Sequence, residues 1–87
     1  MAWRVEFAPS ALKELTKIDH TWRRRIVDYL EKVVELPDPR LRGDALTANL
    51  AGLWRYRVGD FRIICHLKDD VLIVEVVKVA HRRNVYE

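Results

Sequence analysis

The sequence is poor in cysteine, glycine and proline, with one, three and three of them in 87 residues, and it has no apolar run long enough to span a bilayer. The lone Cys65 excludes an internal disulfide. No base is placed beside it in the pattern, so we expect a core residue and not a nucleophile. Neither a metal-ligand spacing nor a glycine-rich phosphate loop is present, so we expect chemistry without a metal or cofactor.

The beginning of the chain and its overall composition indicate a small soluble protein. Residues 1–6 lack the basic start and apolar stretch of a signal peptide, so we expect a cytoplasmic protein with no membrane partner. The length, with 49% hydrophobic and 33% charged residues, is typical of one globular domain covering residues 1–87. The net charge of +3 arises wholly from residues 40–87, which is compatible with an anionic partner.

Hydrophobic periodicity predicts the order of the secondary structure. Residues 2–7 alternate between apolar and polar, as in a half-buried strand. Pro9 opens a short helix, Asp19 can cap a second helix, and Pro37 stops it. A hairpin over about residues 53–67 and a strand over residues 71–80 follow. The last strand is apolar on both faces, so we expect it inside the sheet.

This order, β-α-α-β-β-β, predicts an α+β fold. We expect two N-terminal helices packed on one face of a mainly antiparallel four-stranded sheet, with the opposite face partly open. The irregular stretch over residues 37–52 is of a length that is often functional in a small domain. Leu41, Leu46 and Leu50 are its expected anchors.

The most informative segment is the predicted hairpin around Gly59-Asp60, a strong signal for a two-residue turn. A tight turn there makes one face wholly apolar and gives the other face three arginines. Like charges directly opposite each other destabilise a sheet by a few tenths to roughly 1 kcal/mol, so the fold gains nothing from them. They indicate a phosphate or carboxylate ligand; the alternative is a solvated sheet face. The expected cross-strand pairs are Val58 with Phe61, Arg57 with Arg62, Tyr56 with Ile63, and Trp54 with Cys65; Arg55 is the third arginine.

The polar tail supplies a second candidate set. It follows a strand inside the sheet and therefore emerges at the sheet end, where it can fold over the open face. Histidine and tyrosine can accept or donate protons, and arginine can stabilise a developing phosphorane charge. The alternative is a solvated terminus. The residues concerned are His81, Arg82, Arg83 and Tyr86.

These segments together resemble the RelE/ParE toxin superfamily. The resemblance covers essentially the whole chain and preserves the order of the elements. It rests on the opening segment from Phe7 to Leu15, the segment from Leu50 to Ile64, the hydrophobic strand after it, and the ending His81-Arg82-Arg83-Asn84-Val85-Tyr86.

The resemblance implies one of two unlike activities. RelE-like toxins are metal-independent endoribonucleases that cut mRNA in the ribosomal A site, where the RNA's own 2′-OH attacks the adjacent phosphate. ParE-like toxins share the fold, lack the catalytic set and inhibit DNA gyrase. The ending with its arginines and Tyr86 resembles the RelE branch. A catalytically silent homologue that acts only with its antitoxin is a further alternative.

The resemblance also implies a role for individual residues that stand at matching positions. Arg62 and Arg82 match the phosphate-stabilising arginines of the RelE branch, and Tyr86 matches its tyrosine. Arg55 and Arg57 stand where RelE-type toxins often have lysines. Since arginine keeps its proton, these two and Arg83 are expected to bind substrate. Proton transfer then falls to Tyr86, crowded by arginines that favour its phenolate, or to His81.

The resemblance also implies partners. We expect a cognate RelB-like antitoxin that wraps the chain with a helix and a strand, covering the basic face or displacing the tail. The mRNA would be met on the 30S A site of the ribosome. The toxin–antitoxin complex would contact operator DNA through the antitoxin.

Overall fold

The computed structural model describes residues 2–82, which form two α-helices, five β-strands and two short 3-10 turns. None of the helices in that part of the chain is long and apolar enough to cross a membrane. The 3-10 turns, Pro39–Leu41 and Ala48–Leu50, lie between the second helix and the third strand. In chain order the elements are β1 (Arg4–Phe7), α1 (Pro9–Thr16), α2 (His20–Glu35), β2 (Asp44–Ala45), β3 (Trp54–Val58), β4 (Phe61–Lys68) and β5 (Ile73–His81).

The strands form one mixed sheet in the order β1-β5-β4-β3-β2. β1 runs parallel to β5, and the other neighbouring pairs are antiparallel. β5 lies between β1 and β4, inside the sheet as its apolar character predicts. The expectation of four strands is wrong, because β2 adds a fifth on the outer edge of β3. A strand of two residues is too short to produce an alternating pattern in the sequence.

Local signals determine where the helices begin. Pro9 is the first residue of α1, where its fixed φ suits the helix and its missing N–H costs nothing. The side chain of Asp19 accepts a hydrogen bond from the Thr21 backbone N–H at 3.0 Å and caps α2, as predicted. α2 ends at Glu35, just before Pro37. Both helices are thus positioned by their own flanking residues.

The two helices cover one face of the sheet, in the two-layer arrangement that the sequence predicts. Ala11 and Leu15 of α1 are buried there, as are Ile26, Leu30 and Val33 of α2. The strands contribute the remaining buried members of this core, which are Tyr56, Val58, Ile63, Cys65, Leu67, Val74, Val76 and Val79.

The opposite face is covered in part by the segment between β2 and β3. Leu46 and Ile64 are buried on that face and form a second, small apolar cluster. Of the three expected anchors, Leu46 and Leu50 belong to this cluster, but Leu41 is 65% exposed and anchors nothing there. The residues that pack against the cluster are Leu50, Leu53, Val77 and Ala80.

Side chains of β3 hold the segment that precedes β2. Trp54 Nε1 donates a hydrogen bond of 2.7 Å to the Arg42 carbonyl oxygen. The buried hydroxyl of Tyr56 donates one of 2.7 Å to the Pro39 carbonyl oxygen. Burial raises the pKa of Tyr56 above its ordinary value, so the hydroxyl keeps the proton that it donates. Gly43 lies against this anchor with φ of +82°.

We expect Gly43→Ala to lower the free energy of unfolding by about 2–4 kcal/mol, from left-handed strain and overpacking together. Its added Cβ would lie 2.5 Å from the Arg55 carbonyl oxygen. Gly52→Ala is the matched control, because Gly52 has φ of +95° but nothing within 4 Å of the added atom. It should cost about 1–2 kcal/mol. Urea unfolding measures both, and equal losses would contradict the steric argument.

Candidate functional site

The hairpin formed by β3 and β4 has the register that the sequence predicts, with Arg57 directly opposite Arg62. Its turn has a positive φ at Gly59 (+57°) and not at Asp60, the pattern of a type II′ turn. The ring of Trp22 from α2 packs on this turn, since a Cβ on Gly59 would lie 2.4 Å from it. The conformation of the turn is therefore constrained both by its own backbone geometry and by packing against α2.

Alternation along the hairpin separates the core from the candidate site. Tyr56 and Ile63 are completely buried against the helices, so the arginines that alternate with them lie on the other face. The side chain of Arg57 is 56% exposed and that of Arg55 only 15%. Together with Arg62 they form a basic surface, which we call the arginine face.

Arg82 is joined to the hairpin through Asp60. The Arg82 backbone N–H donates a hydrogen bond of 2.7 Å to the Asp60 carbonyl oxygen. The guanidinium Nη1 of Arg82 lies 3.8 Å from Asp60 Oδ1. One turn residue thus contacts both the backbone and the side chain of Arg82, and it fixes the beginning of the tail at the tip of the hairpin.

Arg62 lies in the electric field of the other arginines. Its pKa is lowered, first by partial burial and then by repulsion from Arg57, Arg55 and Arg82, while Asp60 acts in the opposite direction. Its Nη1 also donates to two carbonyl oxygens of the hairpin turn, at 3.3 Å each. The other three arginines thus all repel Arg62, and an anion bound among them would relieve this repulsion.

Sequence reasoning missed Asp44, a second acidic residue beside these arginines. β2 pairs Asp44 with Arg55. Asp44 Oδ2 lies 3.4 Å from Arg55 Nη2 and 3.9 Å from Arg57 Nε. The preceding Gly43 marks a bend, but only the docking of the whole segment on β3 brings this carboxylate to the arginines. No local pattern in the sequence carries that information.

His81 lies on the helix-covered face of the sheet. It pairs with Phe61 across β4 and β5, and the two rings meet edge to face with 5.7 Å between their centroids. Phe61 packs in turn against Trp22 of α2. His81 Nε2 is 4.0 Å from Asp60 Oδ2. His81, which was expected to lie with Arg62 in the site, is therefore on the other side of the sheet, near the same turn.

Two expected site residues, Arg83 and Tyr86, lie outside the described residues 2–82. They follow Arg82 in the chain. Their roles stay predictions.

Cys65 is buried in the core, as expected from its place in the strand pattern. Burial raises the pKa of its thiol, which keeps the sulfur protonated and unreactive. Among residues 2–82, no three His, Cys, Asp or Glu side chains are grouped so that they could hold a metal ion.

Residues 5–86 match the family model described as "ParE toxin of type II toxin-antitoxin system, parDE". The chain is also 30% identical over 89 residues to a putative RelE-like toxin protein of Escherichia coli, with 97% of this chain and 87% of that protein covered.

Solved structures share the fold. The toxin–antitoxin complex RelBE2 from Mycobacterium tuberculosis has a chain that superposes with a TM-score of 0.84 at 24% identity, covering 94% of this chain and 100% of that one. A doubly substituted Escherichia coli RelE in the free state superposes with a TM-score of 0.77 at 22% identity, covering 98% and 88%. At these identities the likeness shows the fold alone.

We expect Arg57→Gln to raise the free energy of unfolding at low salt by a few tenths to about 1 kcal/mol, because it removes a like charge directly opposite Arg62. The substitution also removes the 3.9 Å contact between Arg57 and Asp44. This loss reduces the gain in stability only slightly, because exposed ion pairs contribute little. The gain should shrink from about 10 mM to about 150 mM salt as repulsion is screened. Urea unfolding at both salts measures it.

Arg24→Gln, at an exposed position of α2, is the control with the same charge change. It should alter stability much less at either salt. If the Arg57→Gln protein is no more stable than wild type at low salt, the repulsion between Arg57 and Arg62 does not affect the free energy of unfolding.

Proposed function

The chain belongs to the RelE/ParE superfamily of type II toxin–antitoxin toxins, on its RelE-like branch, and we propose that it inhibits translation by cutting mRNA in the ribosomal A site. In the proposed reaction the RNA 2′-oxygen loses its proton and bonds to the adjacent phosphorus. The bond to the 5′-oxygen breaks and that oxygen takes up a proton, which leaves a cyclic phosphate and a 5′-OH. The observation that carries the proposal is the cluster of arginines at the hairpin: Arg57 lies directly opposite Arg62 on the arginine face, and Arg82 is held at the same turn by Asp60.

This cluster suits a phosphodiester better than a neutral ligand. Guanidinium groups bind phosphate oxygens through paired N–H donors. The pentavalent phosphorane carries more negative charge than the substrate, so fixed cations stabilise it more and lower the barrier. We assign this role to Arg62 and Arg82, because both side chains contact the turn formed by Gly59 and Asp60. Arg55 and Arg57 would hold phosphate without reacting.

The proton of the 2′-OH needs an acceptor. Arginine has a pKa above about 12 and cannot take it at neutral pH. We assign the acceptor to Tyr86, whose phenolate nearby arginines would favour, and we assign Arg83 to substrate binding. His81 is the alternative acceptor, but its ring contacts Phe61 on the face away from Arg62, which argues for a role in positioning the end of β5.

The partners follow from the same proposal. Several of the structurally similar toxins were solved as complexes with RelB antitoxins, including those from Mycobacterium tuberculosis and Pyrococcus horikoshii. We propose a RelB-like antitoxin for this chain, with operator DNA bound through that antitoxin. Free of it, the chain would act as a single domain in the cytoplasm on mRNA in the 30S A site.

A second candidate function is inhibition of DNA gyrase without catalysis. The family model that matches residues 5–86 is described as ParE, which favours it. The arginines at positions 55 and 57, where RelE-type toxins often have lysines, point the same way. Under this alternative the arginine face would bind protein carboxylates in place of RNA phosphate.

The proposal is tested by primer extension on a reporter mRNA in a purified translation system, with ribosomes omitted as the control. We expect cuts only when ribosomes are present. Arg62→Ala should reduce the cutting rate by about 10²–10³-fold, the range seen when one group that stabilises developing charge is removed. The Arg24→Ala variant, changed at an exposed position of α2, should cut at the wild-type rate.

A gyrase supercoiling assay with the same preparations separates the two functions. Intact mRNA together with inhibited supercoiling would replace the nuclease proposal by the gyrase alternative. Intact mRNA and unaffected supercoiling would indicate a silent homologue.

The two proton acceptors are distinguished by single substitutions. We expect Tyr86→Phe to lower the single-turnover cutting rate by about 10²–10⁴-fold, as loss of a general base does, and to leave ribosome binding unchanged. His81→Ala should retain most of the rate. The opposite result would transfer the role to His81, and full cutting by both variants would contradict both assignments.

A further inference from the structure

Asp44 brings a carboxylate to the edge of the arginine face. Its Oδ2 lies 3.4 Å from Arg55 Nη2 and 3.9 Å from Arg57 Nε. Charge-assisted bonds between nitrogen and a carboxylate oxygen are about 2.7–2.9 Å when they are tight. The carboxylate therefore faces both arginines at once and is held closely by neither.

The chain forms a tight pair elsewhere, which shows that the loose contact is not a general property of its surface. Arg40 binds Asp69 through two parallel bonds of 3.0 and 2.7 Å. Those bonds lower the pKa of Asp69. The Asp44 side chain makes no such fork, and it is 53% exposed, so water and ions reach it. Separating it from the arginines is correspondingly easy.

The charges of the site show what this carboxylate does to it. Among the residues that the structure describes, four guanidinium groups and the carboxylates of Asp44 and Asp60 leave a net charge of +2 at the site. Asp60 holds Arg82 at the hairpin turn. Asp44 faces Arg55 and Arg57, the two residues proposed to hold phosphate. A phosphate that approaches them meets a negative group on the same donors.

We propose that Asp44 is a built-in competitor of the RNA phosphate. Its carboxylate accepts a long hydrogen bond from Arg55 and lies close to Arg57, where a phosphate oxygen would bind, and it repels that oxygen. The inference rests on the proposed function of the arginine face. Its consequence is that RNA alone is held weakly, so productive binding requires further contacts of the kind that a ribosome supplies.

The test compares the full chain and its Asp44→Asn variant in binding a short fluorescein-labelled single-stranded RNA with 2′-O-methyl groups, which cannot be cut. Fluorescence anisotropy is recorded over a range of salt. Asp44→Asn should bind about three- to tenfold more tightly at low salt, because one repulsive charge near the phosphate is gone. The plot of log K against log salt should become steeper by roughly 0.7, as for one more phosphate contact.

Two variants serve as controls, and thermal unfolding confirms that each is folded. Asp28→Asn removes the same charge from an exposed position of α2, on the far side of the sheet, and should change the affinity less than about twofold because of screening. Asp44→Glu keeps a carboxylate near Arg55 and should bind as weakly as wild type.

The outcomes separate this inference from the function on which it rests. Equal gains for Asp44→Asn and Asp28→Asn would mean that only net charge matters and would overturn the inference alone. Weaker binding by Asp44→Asn would also overturn it, because Asp44 would then assist by orienting the arginines. Absence of binding by every folded variant at low salt would overturn both the competitor role and the proposed RNA-binding site.

Discussion

The two-residue turn at Gly59 and Asp60 is the constraint on which the site depends. Its type II′ geometry sets the register of β3 against β4, and that register places Arg57 opposite Arg62. The Asp60 carbonyl and carboxylate contact Arg82, so the end of β5 is held at this same turn. Packing of α2 against Gly59 then fixes the whole hairpin on the core.

The charge of the site depends on a second, longer-range contact. The segment between α2 and β3 is anchored through hydrogen bonds donated by Trp54 and Tyr56, whose side chains lie on the apolar side of β3. The same anchoring brings Asp44 to Arg55 on the other side. A buried hydroxyl on one face of the strand thus helps to determine how much positive charge the opposite face presents.

The features that local chemistry encodes could be predicted from the sequence, and those that depend on distant contacts could not. The register of the hairpin and the arginine face follow from Gly59-Asp60 and period-two alternation, and both are confirmed. β2 could not be predicted because a strand of two residues shows no alternation of apolar and polar side chains. The position of Asp44, which lies in β2, could therefore not be predicted either. His81 was expected over the open face, but β5 extends to this residue, and pairing with Phe61 fixes its side.

The alternation of β3 has a consequence for how this protein can change over generations. Neighbouring positions of the strand have different surroundings: Tyr56 fills the core, while Arg55 and Arg57 lie on the arginine face. Exchange of an arginine for another polar residue would alter the charge of this face and leave the interior intact. Insertion of a single residue would instead turn the arginines inward and the tyrosine outward, and the fold would be lost. The charge of the arginine face can therefore change by point substitution alone, whereas a change in the length of this strand would disrupt the core.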